Sequence, residues 1–156
     1  MKPLYFVERN FQFPVERLWQ AWTSSEQLEK WYCPVFLTVV PGSATSEPVV
    51  GGTWAIAVDV SENGFNAYFW GKYSLVETNL KLVHDLNYSQ DELEFALRES
   101  KDDAHRIEVD FMPNAGGTTV RFSQFGEMDA EQADASKEGM VSYFDNLEVY
   151  LGQDDK

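Results

Sequence analysis

The sequence predicts an α+β fold in which a curved antiparallel β-sheet wraps a long C-terminal helix, with two short helices after the first strand. Three observations carry this reading. Residues 11–22, Phe11-Gln12-Phe13-Pro14-Val15-Glu16-Arg17-Leu18-Trp19-Gln20-Ala21-Trp22, end in an amphipathic helical pattern, and residues 129–151 repeat such a pattern at the other end of the chain. Everything between them reads as strands. A helix buries its apolar stripe only against another apolar surface, and a bowed sheet is the surface that the middle of the chain supplies. Such an arrangement tends to leave a cavity beside the helix.

The first strand is expected over residues 4–12. Pro14 follows where an opening helical turn tolerates a missing N–H, and Val15, Leu18, Trp19 and Trp22 recur at helical spacing. Trp19 is read as core packing. A second short helix carries Leu28 and Trp31, with Ser25 as its expected cap. Residues 35–40 have strand composition and stop at Pro41-Gly42, and residues 42–48 form an irregular excursion at the sheet edge. Gly51-Gly52 marks a turn or bulge, after which Trp54, Ile56, Val58 and Val60 alternate onto one face.

Ser61-Glu62-Asn63-Gly64 is a turn into an aromatic strand over residues 65–76, where Phe65, Phe69 and Tyr73 face one way and Tyr68 and Trp70 the other. Gly71 is read as room for a bend or close approach. Strands are expected over residues 80–89 and 93–100. Residues 105–112 and 118–125 form a hairpin, with Ile107, Val109, Phe111, Val120 and Phe122 facing inward. In the last helix Asp129 is the expected cap, and Ala133, Lys137, Met140, Val141, Phe144, Leu147 and Leu151 form the stripe. Gly139 lowers helicity by about 1 kcal/mol relative to alanine, which is read as close passage of the helix against the sheet.

The chain of 156 residues suits one domain spanning 1–156. Cys33 is the only cysteine, so neither an internal disulfide nor a multi-cysteine metal site can form. The first residues turn charged before an apolar run develops, so export and membrane insertion are not expected and a cytoplasmic location is. Asp and Glu number 26 against 12 Lys and Arg, a formal charge of -14. That field repels phosphate backbones, which excludes nucleic acid as an expected partner.

Catalytic and cofactor signals are weak. His84 and His105 lack a metal-ligand spacing and read as structural or surface residues, while Glu108 and Asp110 alternate onto the solvated face of their strand. Cys33 has no Cys/His arrangement, Ser24 and Ser25 read as caps, and the glycine pairs match no nucleotide-binding pattern. No metal, cofactor or catalytic residue is therefore assigned.

The order of Arg9 through Thr23, Leu28-Glu29-Lys30-Trp31-Tyr32, Gly51-Gly52-Thr53-Trp54, Gly71-Lys72-Tyr73 and Gly139-Met140 through Leu151 resembles the START-like, helix-grip (SRPBCC) superfamily. The resemblance is to its branch related to the C-terminal domain of the activator of Hsp90 ATPase, and it covers nearly the whole chain. Met140 stands where relatives commonly place tryptophan, and Pro48-Val49-Val50 replaces an acidic and arginine-bearing approach. The resemblance implies a sheet of about seven antiparallel strands gripping the last helix around a hydrophobic cavity, in a superfamily of lipid carriers, plant ligand-binding proteins, polyketide cyclases and co-chaperone domains. Fold alone does not choose among them.

Binding of an apolar small molecule is the leading expectation. Trp31, Trp54, Tyr68, Trp70, Tyr73, Met112, Phe122, Met140 and Phe144 are the candidate lining, because aromatic rings offer rigid contact area and methionine adapts to an irregular guest. Taken one at a time, each is explained more readily by ordinary core packing. Two alternatives stand beside it: a co-chaperone-like domain that meets a chaperone or another protein partner, and a pocket enzyme such as a cyclase or hydrolase. The oligomeric state is left open.

Overall fold

Alternation decides which face of each strand is apolar. In β1 (Tyr5–Phe11), Tyr5, Val7 and Phe11 are buried while Phe6, Glu8 and Asn10 face solvent. The computed structural model describes residues 2–153, so the single-domain reading of 1–156 reaches beyond it at both ends. After β1 come α1 (Val15–Thr23) and α2 (Ser25–Trp31), with Pro14 capping α1 in an extended conformation. The Trp31 indole N–H donates to the Ala21 carbonyl at 2.9 Å and ties the two helices together.

The cap of α2 is Ser24 rather than Ser25. The Ser24 hydroxyl accepts from the Gln27 amide, while the Ser25 hydroxyl accepts from the Ser46 amide at 3.0 Å and anchors the sheet edge. The strand expected over residues 35–40 shrinks to β2 (Thr38–Val39). Pro34 opens a turn closed by the Leu37 amide, and the Val35 amide is taken by the Ser142 hydroxyl of the last helix. Residues 45–46 form the two-residue β3 (Thr45–Ser46) on the edge.

The main sheet continues with β4 (Thr53–Val60), β5 (Phe65–Glu77), β6 (Lys81–Ser89), β7 (His105–Asn114) and β8 (Gly117–Phe125). Its antiparallel order is β1-β8-β7-β6-β5-β4-β2, with β3 also paired to β4. A register shift between Tyr73 and Leu75 bends β5 against β6. Nearby, a side chain on Gly71 would overlap the Asp85 carbonyl, so the close approach read from the sequence is present. On the outer face Lys81 lies 3.1 Å from Glu108 and 3.4 Å from Asp110, which is the solvated role expected of those carboxylates.

Residues 93–100 are not a strand. They contain α3 (Glu92–Leu97), and the two-residue alternation of Leu93, Phe95 and Leu97 misled. The Asp91 carboxylate accepts from the Leu93 amide at 2.8 Å and starts a helical turn, which Arg98 ends in the left-handed conformation. Phe95 then stacks on Tyr68 at 4.8 Å, covering the convex face of the sheet.

The concave face holds the main core and receives α4 (Ala130–Gln153). Asp129 caps it as expected, its carboxylate accepting from the Gln132 amide at 2.8 Å. The C-terminal half grips tightly: Phe144, Leu147 and Leu151 are fully buried, with Phe144 against Phe11 and Trp22. Arg9 reaches from β1 to Asp145 at 2.8 Å and Glu148 at 3.1 Å, and Arg17 donates to the Leu151 carbonyl. Lys137 lies at the exposed edge of the stripe with its amine over the Phe6 ring, as its long stem allows, while Val141 faces outward and Tyr150 completes the stripe. Trp19 is only half-buried, edge-on to Phe111 at 5.3 Å. No helix among the described residues is long and apolar enough to cross a membrane.

Candidate functional site

Gripping α4 by its C-terminal half leaves space beneath its N-terminal half. A cavity of about 620 Å³ opens there, between the helix and the concave sheet. Gln132, Ser136, Gly139, Met140 and Tyr143 form its helical wall, and their spacing is that of one face of an α-helix. Trp54 of β4, Phe69 of β5, Leu86 of β6 and Phe122 of β8 form the sheet wall. Polar side chains collect where β7 begins and β8 ends, with Lys101, Asp103, His105, Gln124 and Glu127 at the rim.

Gly139 corrects the sequence reading. A methyl group built on it meets nothing within 4 Å, so the helix does not press against the sheet at this position. The missing side chain instead keeps the cavity wall open.

Three tyrosines enter the cavity from different elements. Tyr5 comes from β1, Tyr32 from the end of α2, and Tyr143 from α4. The Tyr32 ring is wedged edge-on between Trp31 at 5.2 Å, Trp54 at 5.5 Å and Tyr143 at 5.0 Å. Burial pushes the Tyr32 and Tyr143 phenols well above the ordinary range, and electrostatics adds to it, from Tyr143, Tyr5 and Tyr73 on Tyr32 and from Cys33 and Tyr5 on Tyr143. Burial raises Tyr5 as well. All three remain neutral and protonated at physiological pH.

One backbone carbonyl fixes the direction of a hydrogen-bond chain along the rim. His105 Nε2 lies 3.2 Å from the Glu127 carbonyl, which can only accept, so Nε2–H donates to it. Nδ1 therefore accepts from Gln124 Nε2 at 2.8 Å, and Gln124 Oε1 accepts from the Tyr5 hydroxyl at 2.6 Å. The Tyr5 proton is committed to the protein. His84 lies elsewhere: it stacks on Trp54 at 4.3 Å, its Nδ1–H donates to the Asp85 carbonyl, and burial lowers it to about 4. Cys33 is buried beneath Asn146, and burial pushes its thiol up to about 11. Among the described residues no cluster of three His, Cys, Asp or Glu side chains is arranged to hold a metal ion.

Of the candidate lining residues, Trp54, Phe122 and Met140 meet at the cavity wall. Trp31 and Phe144 lie in the closed core, and the Tyr73 hydroxyl is paired with Ser46 at 2.8 Å. Tyr68 and Trp70 sit on the convex face under Phe95, since alternation sends them opposite to Phe69. Met112 is on the outer face of β7, 37% exposed. The sequence reading passed over Tyr5, Tyr32 and Tyr143, although Tyr5 shares the inward face with Val7, and Tyr143 follows Gly139 at one helical turn.

A family model described as activator of Hsp90 ATPase homolog 1-like protein matches residues 12–152. No curated protein matches the sequence. Among solved structures, the AHSA1 protein from Silicibacter pomeroyi superposes with a TM-score of 0.80 at 17% identity, covering 96% of this chain and 98% of that one. A protein from Staphylococcus epidermidis gives 0.77 at 22% identity over 100% and 94% of the two chains. The AHSA1-like protein from Aeromonas hydrophila gives 0.73 at 20% identity over 96% and 92%. At these identities the likeness to solved structures establishes a common fold.

Proposed function

This chain belongs to the activator of Hsp90 ATPase homolog 1-like family, and from that premise we propose that it binds an apolar small molecule in the cavity beneath α4. The observation that carries the reading is the cavity's size and lining. At about 620 Å³ it falls among volumes of roughly 300–1,000 Å³ that hold compact organic guests. Trp54, Phe69, Leu86, Phe122 and Met140 supply the apolar walls, and the rim supplies a few polar groups for orientation. Displacing water from such walls is the driving force.

A titration with the neutral fluorescent probe N-phenyl-1-naphthylamine tests it. The probe is expected to bind with one-to-one stoichiometry, and Gly139→Leu, which places an isobutyl group at the cavity wall, is expected to weaken it about tenfold or more while the protein stays folded. Equal affinity in the folded variant speaks against this cavity as the site.

A second reading is favoured by the comparisons, whose family description names the Hsp90 ATPase and no small molecule. In it the protein docks on an Hsp90-type chaperone, and exposed apolar side chains such as Phe36, 78% exposed, supply contacts. Measuring the ATPase rate of Hsp90 with and without the purified protein decides it: an unchanged rate together with no complex removes the chaperone reading.

A further inference from the structure

Two phenol hydroxyls that line the cavity have no acceptor among the described residues. Tyr32 is 4% exposed, and neither its hydroxyl nor that of Tyr143 has a hydrogen-bond partner among the described residues. Their rings face each other edge-on at 5.0 Å, and Trp22, Trp31 and Trp54 close around Tyr32 so that it cannot swing out to solvent. Both oxygens are reached from the cavity, since among the described residues the sealed side-chain polar atom without a partner is the Trp22 indole nitrogen, so whatever fills the cavity, water or guest, is their partner. The third phenol does not compete, because Tyr5 gives its proton to Gln124.

Resting on the reading of the cavity as a binding site, we propose that its guest is a neutral, largely apolar molecule carrying a carbonyl oxygen, which accepts hydrogen bonds from the hydroxyls of Tyr32 and Tyr143. A carbonyl has two lone pairs and can accept from donors on the two adjacent rings. The apolar walls around the pair, Trp54, Phe122 and Met140, favour a guest that brings one acceptor on a hydrophobic frame over a cluster of waters. Burial keeps both phenols protonated, so they remain donors over the working range of pH. A carboxylate is disfavoured: Asp103 and Glu127 stand at the rim, the net charge is -14, and the rim lysine, Lys101, already pairs with Glu94 at 3.5 Å.

The test compares 9-fluorenone with fluorene, two flat probes of the same skeleton that differ by one carbonyl, using tryptophan fluorescence for affinity and infrared spectroscopy for the bound C=O stretch. Fluorenone is expected to bind the wild-type protein about tenfold tighter than fluorene, as one or two net hydrogen bonds allow. Its carbonyl stretch is expected to shift to lower frequency on binding. In a folded Y32F/Y143F variant the preference is expected to fall to within about twofold through loss of fluorenone affinity alone, and the shift is expected to vanish. Equal affinities in the wild type, an unshifted carbonyl, or a preference that survives in Y32F/Y143F would overturn the carbonyl assignment and leave the cavity as a binding site. Failure of both probes to bind would overturn the reading on which it rests.

Discussion

Replacing Gly139 by alanine measures how α4 sits above the sheet. The added methyl meets no atom within 4 Å, so it neither clashes nor gains packing, and the helix propensity difference acts alone. Glycine in a helix interior is about 0.8–1.0 kcal/mol less favourable than alanine, so Gly139→Ala is expected to stabilise the fold by about 1 kcal/mol. For a chain of this length that raises Tm by roughly 2–4 °C. Urea unfolding followed by circular dichroism gives the free energy, with an unchanged m-value showing that the unfolded state is not altered. A Tm that falls would refute the reasoning, because it means that the helix lies against the sheet at Gly139 and that no cavity wall exists there.

Gly71→Ala is the opposite case: its methyl would overlap the Asp85 carbonyl, and a loss of about 3 kcal/mol is expected in urea unfolding, whereas a loss below about 1 kcal/mol contradicts the close approach. His84 makes stability depend on pH. Its folded value of about 4 lies below the ordinary 6.5, so the unfolded chain takes up a proton first; stability falls as pH drops from about 6.5 toward 4, by about 3 kcal/mol in all. His84→Phe is expected to flatten that part of the profile, and an equally steep variant would show that other groups cause it. The charge of -14 opposes compaction, so raising ionic strength from low to moderate is expected to raise the urea midpoint; an unchanged midpoint contradicts self-repulsion as a cost.

Much of the fold was legible because binary patterning and turn chemistry agree in most segments. Trp54, Ile56 and Val58 alternate onto the core face, Gly64 takes the positive φ its turn requires, and Asp129 caps the last helix. Where two patterns overlapped, the sequence misled. Leu93, Phe95 and Leu97 satisfy a strand's alternation, yet the Asp91 cap and the convex-face cluster around Tyr68 hold them as a helix. The cavity was legible only in outline. Aromatic bulk marks both closed core and open wall, so Trp31 and Phe144 looked no different from Trp54 and Phe122. What separates them is where α4 lifts from the sheet, a three-dimensional fact set by Arg9 clamping one half of the helix and by Gly139 in the other.

The central claim is tested most directly by native mass spectrometry of protein purified without denaturation, followed by extraction and identification of whatever it retains. The account predicts a wild-type population carrying an apolar small molecule at one-to-one stoichiometry, and its absence from folded Gly139→Leu. A wild-type protein that stays at its bare mass through purification, and also takes up neither N-phenyl-1-naphthylamine nor fluorenone, contradicts it.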